Sequence, residues 1–312
     1  MAVVWQISAI QFKNKTLIRG ILLKNITWPD HLKTSTLKNI YLVLSSYFRK
    51  RYKNKEIIVS TGTEKFRTQT DKHGKFSIIA GADNIDKVEI FEPGSYKPFP
   101  IIQSYPVFFP DNDIPVAAIS DIDDTILISN TQRMIKSVAT VLFVIPKKRK
   151  PVDNTAKLLN TLYNKGGRVF YVSKSESNLF AMLTYFIQNK ELPVGYLHLT
   201  PYISFHQLFK TKGGRDYKDK ALRFILDNTD KQFILIGDDT HKDMSIYLSI
   251  ARSYPERIIK IYIRKTVPFL SGSKKRDLAD LNSLHIPFVY FTDSDDMSQE
   301  LEYIERIMRS EN

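Results

Sequence analysis

The chain has 312 residues, with 46 Lys and Arg against 33 Asp and Glu for a formal net charge of +13, 43% hydrophobic residues and no cysteine. That length accommodates two domains and a sizeable core, and the missing thiols exclude disulfides, thiolate chemistry and cysteine-based zinc sites. The excess of positive charge favours polyanionic partners such as nucleic acid, anionic lipid or phosphorylated substrates, without choosing among them.

The first residues lack the basic and apolar pattern of a secretory signal, and no apolar run reaches the roughly 18 residues that span a bilayer. The expectation is a cytoplasmic protein, not integral to a membrane. Residues 1–115 read as many short strands and so as a small β-sandwich-like domain. Candidate strands cover 5–12, 17–23, 38–47, 57–59 and 88–91. Two further β-rich arms flank Asp71-Lys72-His73-Gly74, which reads as a hairpin turn. Residues 96–115 hold five prolines and an acidic Asp111-Asn112-Asp113, the composition of a linker.

From residue 116 to 312 strands and helices alternate. Apolar strands are expected at 117–120, 169–172, 196–199, 233–236, 258–263 and 288–291. The helices between them are expected to be capped by Asp153-Asn154-Thr155 and by Ser175 or Ser177, with later ones at 217–226, 240–252, 275–284 and from Met297. Strands this apolar are buried on both faces, which implies an α/β domain with a Rossmann-like parallel sheet covered by helices.

In such a sheet ligands sit at the carboxyl ends of the strands, so the residues that end each strand carry the functional argument. The first apolar strand ends in Asp121, Ile122, Asp123, Asp124 and Thr125; the bland alternative is a turn and helix cap. The second ends in Ser173, and the strand over 233–236 ends in Gly237-Asp238-Asp239 with Asp243 one turn on. This set suits phosphoryl transfer. Asp121 is the candidate nucleophile and Asp123 the candidate acid and base. The Ser173 hydroxyl and the Lys218 ammonium are candidate phosphate ligands. Asp121, Asp123 through its carbonyl, Asp238 and Asp243 are candidate oxygen ligands for Mg²⁺. Lys220 and Lys212 compete with Lys218 on sequence alone. Asp239 reads as a helix cap, Asp293, Asp295 and Asp296 as caps of the last helix, and His241 as an exposed helix residue.

The order Asp-x-Asp-x-Thr, strand-end Ser, Lys and Gly-Asp-x-x-x-x-Asp resembles the haloacid dehalogenase superfamily of aspartyl-phosphate phosphohydrolases. More narrowly, the segments SDIDDTI (120–126), YVSKSESNLF (171–180), Tyr217-Lys218, FILIGDDTHKDMSIY (233–247) and IYIR (261–264) resemble the catalytic domain of the actin-patch-protein type of phosphatidate phosphatase. The resemblance covers about 116–266. It favours Lys218 over its neighbours and implies that Thr125 joins the phosphate-binding residues. It also implies Mg²⁺ as cofactor and a phosphomonoester substrate of the phosphatidate kind. Two departures stand out: Ser173-Lys174-Ser175-Glu176 where the family reads Ser-Asn-Ser-Pro, and Asp239-Thr240 where it reads Ser-Gly.

The apolar run 134–145 leads into Lys147-Lys148-Arg149-Lys150, a pairing that suits peripheral contact with an anionic membrane. No array of base-stacking aromatics supports nucleic acid. The alternatives are a phosphatase of soluble or nucleic-acid phosphomonoesters, and a lipid- or protein-binding module on a disabled phosphatase fold; the intact acids and lysine argue against the module.

Overall fold

The computed structural model describes residues 2–24, 48–81, 85, 87–126, 152–201, 215–240 and 242–309. The strand expected over 38–47, the apolar and basic run at 134–150, Lys212 and His241 lie outside them. The chain divides into two compact units. One is built from the chain up to Asn112 together with Glu176–Phe186; the other from Asp113–Ser175, Ile187–Leu199 and the C-terminal third.

Among the described residues the first unit has seven strands: β1 (Ala2–Phe12), β2 (Lys15–Lys24), β3 (Glu56–Ser60), β4 (Lys65–Gln69), β5 (Lys75–Gly81), β6 (Glu89–Phe91) and β7 (Phe108–Phe109). They form two sheets, ordered β5-β2-β1-β7 and β4-β3-β6. Alternate residues of the two sheets meet in one core, Ile7, Ile18, Leu22 and Phe76 from the first against Ile57, Val59 and Ile90 from the second. This is the β-sandwich expected from the short apolar strands.

Two local expectations are corrected here. The turn at Asp71–Gly74 does not close a hairpin: β4 pairs with β3 and β5 with β2, so it carries the chain from one sheet to the other. The turn itself is tight. Asp71 Oδ1 accepts from the His73 and Lys75 amides, and Gly74 takes φ +77° where a Cβ would lie 2.5 Å from the Leu22 carbonyl oxygen. Residues 96–115 are not a free linker either. The amides of Val4 and Ala9 donate to the carbonyls of Pro100 and Val107, and that of Ile7 to Gln103 Oε1, so the proline-rich segment covers the open edge of β1. Within the same unit, Trp5 Nε1 donates to the Ser177 carbonyl and the Trp5 ring packs near Ala181, which ties Glu176–Phe186 to this sheet.

The second unit contains β8 (Val116–Ser120), β9 (Arg168–Glu176), β10 (Tyr196–Thr200), β11 (Gln232–Asp238), β12 (Ile258–Arg264) and β13 (Phe288–Phe291). Their order is β10-β9-β8-β11-β12-β13, and β8 runs parallel to both β9 and β11. Helices α1 (Asp153–Asn164), α2 (Phe180–Asn189), α3 (Arg215–Asn228), α4 (Asp243–Ser253), α5 (Gly272–Asn282) and α6 (Ser298–Arg309) alternate with them along the chain, and of α2 the residues up to Phe186 belong to the first unit. Every residue of β8 is buried, as the apolar run required.

Because β9 and β10 lie to one side of β8 and β11 to β13 to the other, the order of the strands reverses between β8 and β11. That reversal opens a crevice outside the carboxyl ends of these two neighbours. The expected caps are replaced by other bonds. Asn154 donates to the carbonyls of Thr292 and Asp295 rather than capping α1. Strand β9 runs on to Glu176, so Ser175 precedes α2 without capping it, and the Ser177 hydroxyl goes to the Thr200 carbonyl. Among the described residues no helix is long and apolar enough to cross a membrane.

Candidate active site

The crevice is built from the ends of β8, β9 and β11 and the starts of α3 and α4. Asp121 directly follows β8, and its amide still donates to the Ile236 carbonyl of β11, which keeps its side chain at the switch point. The next residues leave the sheet. Asp124 takes φ +58°, a left-handed value that Asp tolerates better than most, and its carbonyl accepts from Arg264 Nη1 at 2.6 Å. Arg264 ends β12 and also forks onto both carboxylate oxygens of Asp293 at 2.7 Å. The loop after β8 is therefore pinned by a strand four places along in sequence, and Asp293 holds that arginine instead of capping α6.

Asp121 and Asp123 have separate partners. Lys218 Nζ lies 2.8 Å from Asp121 Oδ1 and 2.7 Å from Asp243 Oδ1, with all three side chains buried. Asp123 Oδ2 instead accepts from Ser173 Oγ at 3.0 Å and Ser175 Oγ at 2.7 Å. Residues two apart on an extended strand project to one side, and the persistence of β9 to Glu176 gives both hydroxyls that direction. Ser175 was thus missed as a site residue because the same side chain also makes a plausible helix cap.

The Thr125 hydroxyl sits between acids, 3.4 Å from Asp121 Oδ2 and 3.3 Å from Asp238 Oδ2. Asp238 closes β11, and its Oδ1 accepts from the Thr240 amide. Asp243 opens α4, and its Oδ2 lies 3.5 Å from the Asp238 amide. Gly237 makes this approach possible: a Cβ there would stand 2.8 Å from Asp243 Oδ2 and 2.8 Å from the Tyr247 ring. Lys220 is exposed, so of the two described lysines only Lys218 joins the acids.

Carboxylate oxygens of Asp121, Asp238 and Asp243 lie within 4.8 Å of one another. Burial and the nearby Asp243, Asp238 and Asp123 push the Asp121 carboxyl well above the usual carboxylate range, against the opposing pull of Lys218. Burial alone would lower the Lys218 ammonium, but Asp121 and Asp243 reverse this and hold it well above its usual value. The three buried acids converge oxygen donors, and Lys218 pairs with two of them; this is the donor set that a hard divalent cation such as Mg²⁺ fits. Lys174, between the two serines, also lies near Asp243 and Asp121; burial lowers its ammonium while the acids pull it up. It marks where the Ser-Lys-Ser-Glu departure meets the acids.

Asp239 is not a helix cap. It is buried one residue beyond Asp238, where its carboxylate accepts from the Thr266 amide at 2.9 Å, the Thr266 hydroxyl and the Tyr290 hydroxyl at 2.6 Å. A buried carboxylate without these donors would be costly, and the loop after β12 supplies most of them.

Residues 116–265 match the family model described as the catalytic domain of phosphatidate phosphatase APP1. Phosphatidate phosphatase APP1 of Saccharomyces cerevisiae is 25% identical over 228 residues, covering 72% of this chain and 38% of that protein. An uncharacterized protein of Schizosaccharomyces pombe is 26% identical over 170 residues, covering 54% of this chain and 28% of that one. The chain therefore spans well under half the length of either relative. Among solved structures it is similar to the Pnkp1/Rnl/Hen1 complex, with 15% identity, 66% of this chain and 57% of that chain covered, and a TM-score of 0.35. It is also similar to a haloacid dehalogenase-like phosphatase from Mesorhizobium loti, with 13% identity, coverage of 63% and 87%, and a TM-score of 0.36. The architecture rests on the strand order and register given above rather than on these loose superpositions.

Proposed function

We infer that this chain, whose residues 116–265 form a haloacid dehalogenase-type domain of the APP1 catalytic family, is a Mg²⁺-dependent phosphatase acting on a lipid phosphomonoester of the phosphatidate class. The observation that carries the reading is the separation of roles between two acids on one loop. Asp121 is held by a buried lysine beside two further acids, and Asp123 is held by two hydroxyls.

In the proposed reaction an Asp121 oxygen attacks phosphorus, the bond from phosphorus to the ester oxygen breaks, and Asp123 gives its proton to the leaving alcohol. Asp123, now a base, then takes a proton from a water that attacks the aspartyl phosphate and releases inorganic phosphate. Ser173 and Lys218 are placed to meet phosphoryl oxygens, and Thr125 to hold Asp121 and Asp238 in register. Asp121, Asp238, Asp243 and the Asp123 carbonyl would hold Mg²⁺, which when bound offsets the charge between nucleophile and phosphoryl group. The name of the yeast relative is what points to phosphatidate as the substrate class.

The test is phosphate release from an aryl phosphate by the purified chain, with and without Mg²⁺. Replacing Asp121 by Asn should lower turnover by about a thousandfold or more, since a nucleophile cannot be bypassed by positioning alone. Wild type and Asp121→Asn equally inactive on aryl phosphate, phosphatidate, nucleoside monophosphates and a phosphorylated oligonucleotide would point to a binding module instead. Preference for phosphatidate over the soluble phosphates tests the lipid assignment separately.

A further inference from the structure

The loop over 265–271 joins β12 to α5 and borders the acids. Its first half is fixed: the Thr266 and Val267 amides and the Thr266 hydroxyl donate to Asp239, and the Thr266 and Thr240 hydroxyls lie 2.6 Å apart. Lys274, in the first turn of α5, returns to the carbonyls of Asp239 and Thr240. Asp239 and Thr240 directly follow Asp238, so this loop is part of the rim of the site.

The tip behaves differently. Phe269 is 91% exposed, Pro268 beside it is exposed, and Lys275 and Arg276 at the start of α5 are exposed as well. Of the acids that follow on α5, Asp280 is paired with Arg252 at 2.9 Å and Asp277 is half-buried. A single exposed apolar side chain is ordinary on a protein surface. One held out on an anchored loop at the mouth of a catalytic crevice, followed by exposed cations, is an arrangement that an anionic interface complements.

We propose that this loop docks the mouth of the site on an anionic bilayer, with Phe269 entering the boundary between headgroups and acyl chains and Lys275 and Arg276 meeting lipid phosphates. A protein partner would bury a broader surface than one ring, on the order of 800 Å² a side in total. The proposal deepens the lipid-phosphatase reading and rests on it for its purpose: a buried nucleophile reaches a lipid head group only if the crevice mouth lies against the membrane.

The test is sedimentation of the full chain with phosphatidylcholine vesicles, with and without phosphatidylserine. That lipid carries no phosphomonoester, so capture by the catalytic site does not contribute. The wild type should partition onto the anionic vesicles. Phe269→Ser should lower partition about tenfold, and Lys275→Gln with Arg276→Gln about fivefold per charge. All these variants should turn over a soluble aryl phosphate like the wild type, which shows that they are folded. In Phe269→Trp the new fluorescence should be quenched by brominated acyl chains. Equal retention of wild type and Phe269→Ser, or no retention of the wild type, overturns the proposal, the second result favouring a soluble acidic partner. Failure of the phosphatidate reading looks different: hydrolysis of aryl phosphate but not of detergent-dispersed phosphatidate, with vesicle partition still dependent on Phe269.

Discussion

The ammonium of Lys218 has almost no access to water and sits within 2.8 Å of Asp121 and 2.7 Å of Asp243, near the face of the Tyr247 ring. A lysine enclosed in this way is costly to desolvate, and its contacts with Asp121 and Asp243 offset that cost. Its removal leaves the acids without their cation, so Lys218→Met should cost about 3–5 kcal/mol in urea unfolding. Adding Asp243→Asn to that variant should restore part of the loss, because one of the stranded charges disappears with it. An unchanged urea midpoint in Lys218→Met would mean that the pair contributes nothing to the fold. Sequence reasoning could name Lys218 only through the family resemblance, because Lys212 and Lys220 compete with it on the residues alone. It could not foresee that Asp239, read as a cap, spends its carboxylate on Thr266 and Tyr290, since those donors come from strands and loops far along the chain.

At the scale of elements, the apolar strands of the second unit were legible because burial on both faces leaves a continuous hydrophobic run. The pairing of β4 and β5 was not, because the turn chemistry of Asp71 and Gly74 is the same whether the flanking strands join one sheet or two. Strand β5 also opens on a testable charge. Burial lowers the Lys75 ammonium from its usual value to about 8, with Asp71 pulling it up and Arg19 pushing it further down. Below pH 8 both folded and unfolded chains carry the proton, so folding bears the whole cost of confining it. Between pH 8 and the ordinary lysine range near 10.5 the folded chain releases its proton first, the unfolded chain binds more, and stability rises with pH. Lys75→Met keeps the stem and removes the charge. After allowance for solvent screening it should be more stable than wild type by about 1–2 kcal/mol at neutral pH. That advantage should fade as pH is raised through this window, as followed by thermal unfolding of both proteins. An advantage that stays flat across this window would show that the amine is solvated in the folded chain.

Over the whole molecule, the charge is arranged in two opposing ways. The chain carries a formal net charge of +13, yet the crevice between β8 and β11 gathers Asp121, Asp238 and Asp243. The sequence made both halves of this legible as numbers, but only the strand order, with its reversal between β8 and β11, shows that the acids meet at one point. Residues 96–115 illustrate the opposite case: they carry the composition of a linker, and the edge of β1 that they cover is invisible until the sheet is assembled. The surplus of positive charge draws phosphate dianions toward the protein over distances where the buried acids, paired with Lys218, are weakly felt. A soluble aryl phosphate should therefore meet the enzyme faster at low salt. With Mg²⁺ held saturating, raising ionic strength from about 0.02 to about 0.2 M should lower kcat/KM several-fold and leave kcat nearly unchanged, because screening acts on encounter and not on the enclosed reacting groups. A fall in kcat of the same size would place the salt sensitivity inside the crevice, among the Asp121, Lys218 and Asp243 contacts, rather than in the field of the whole chain.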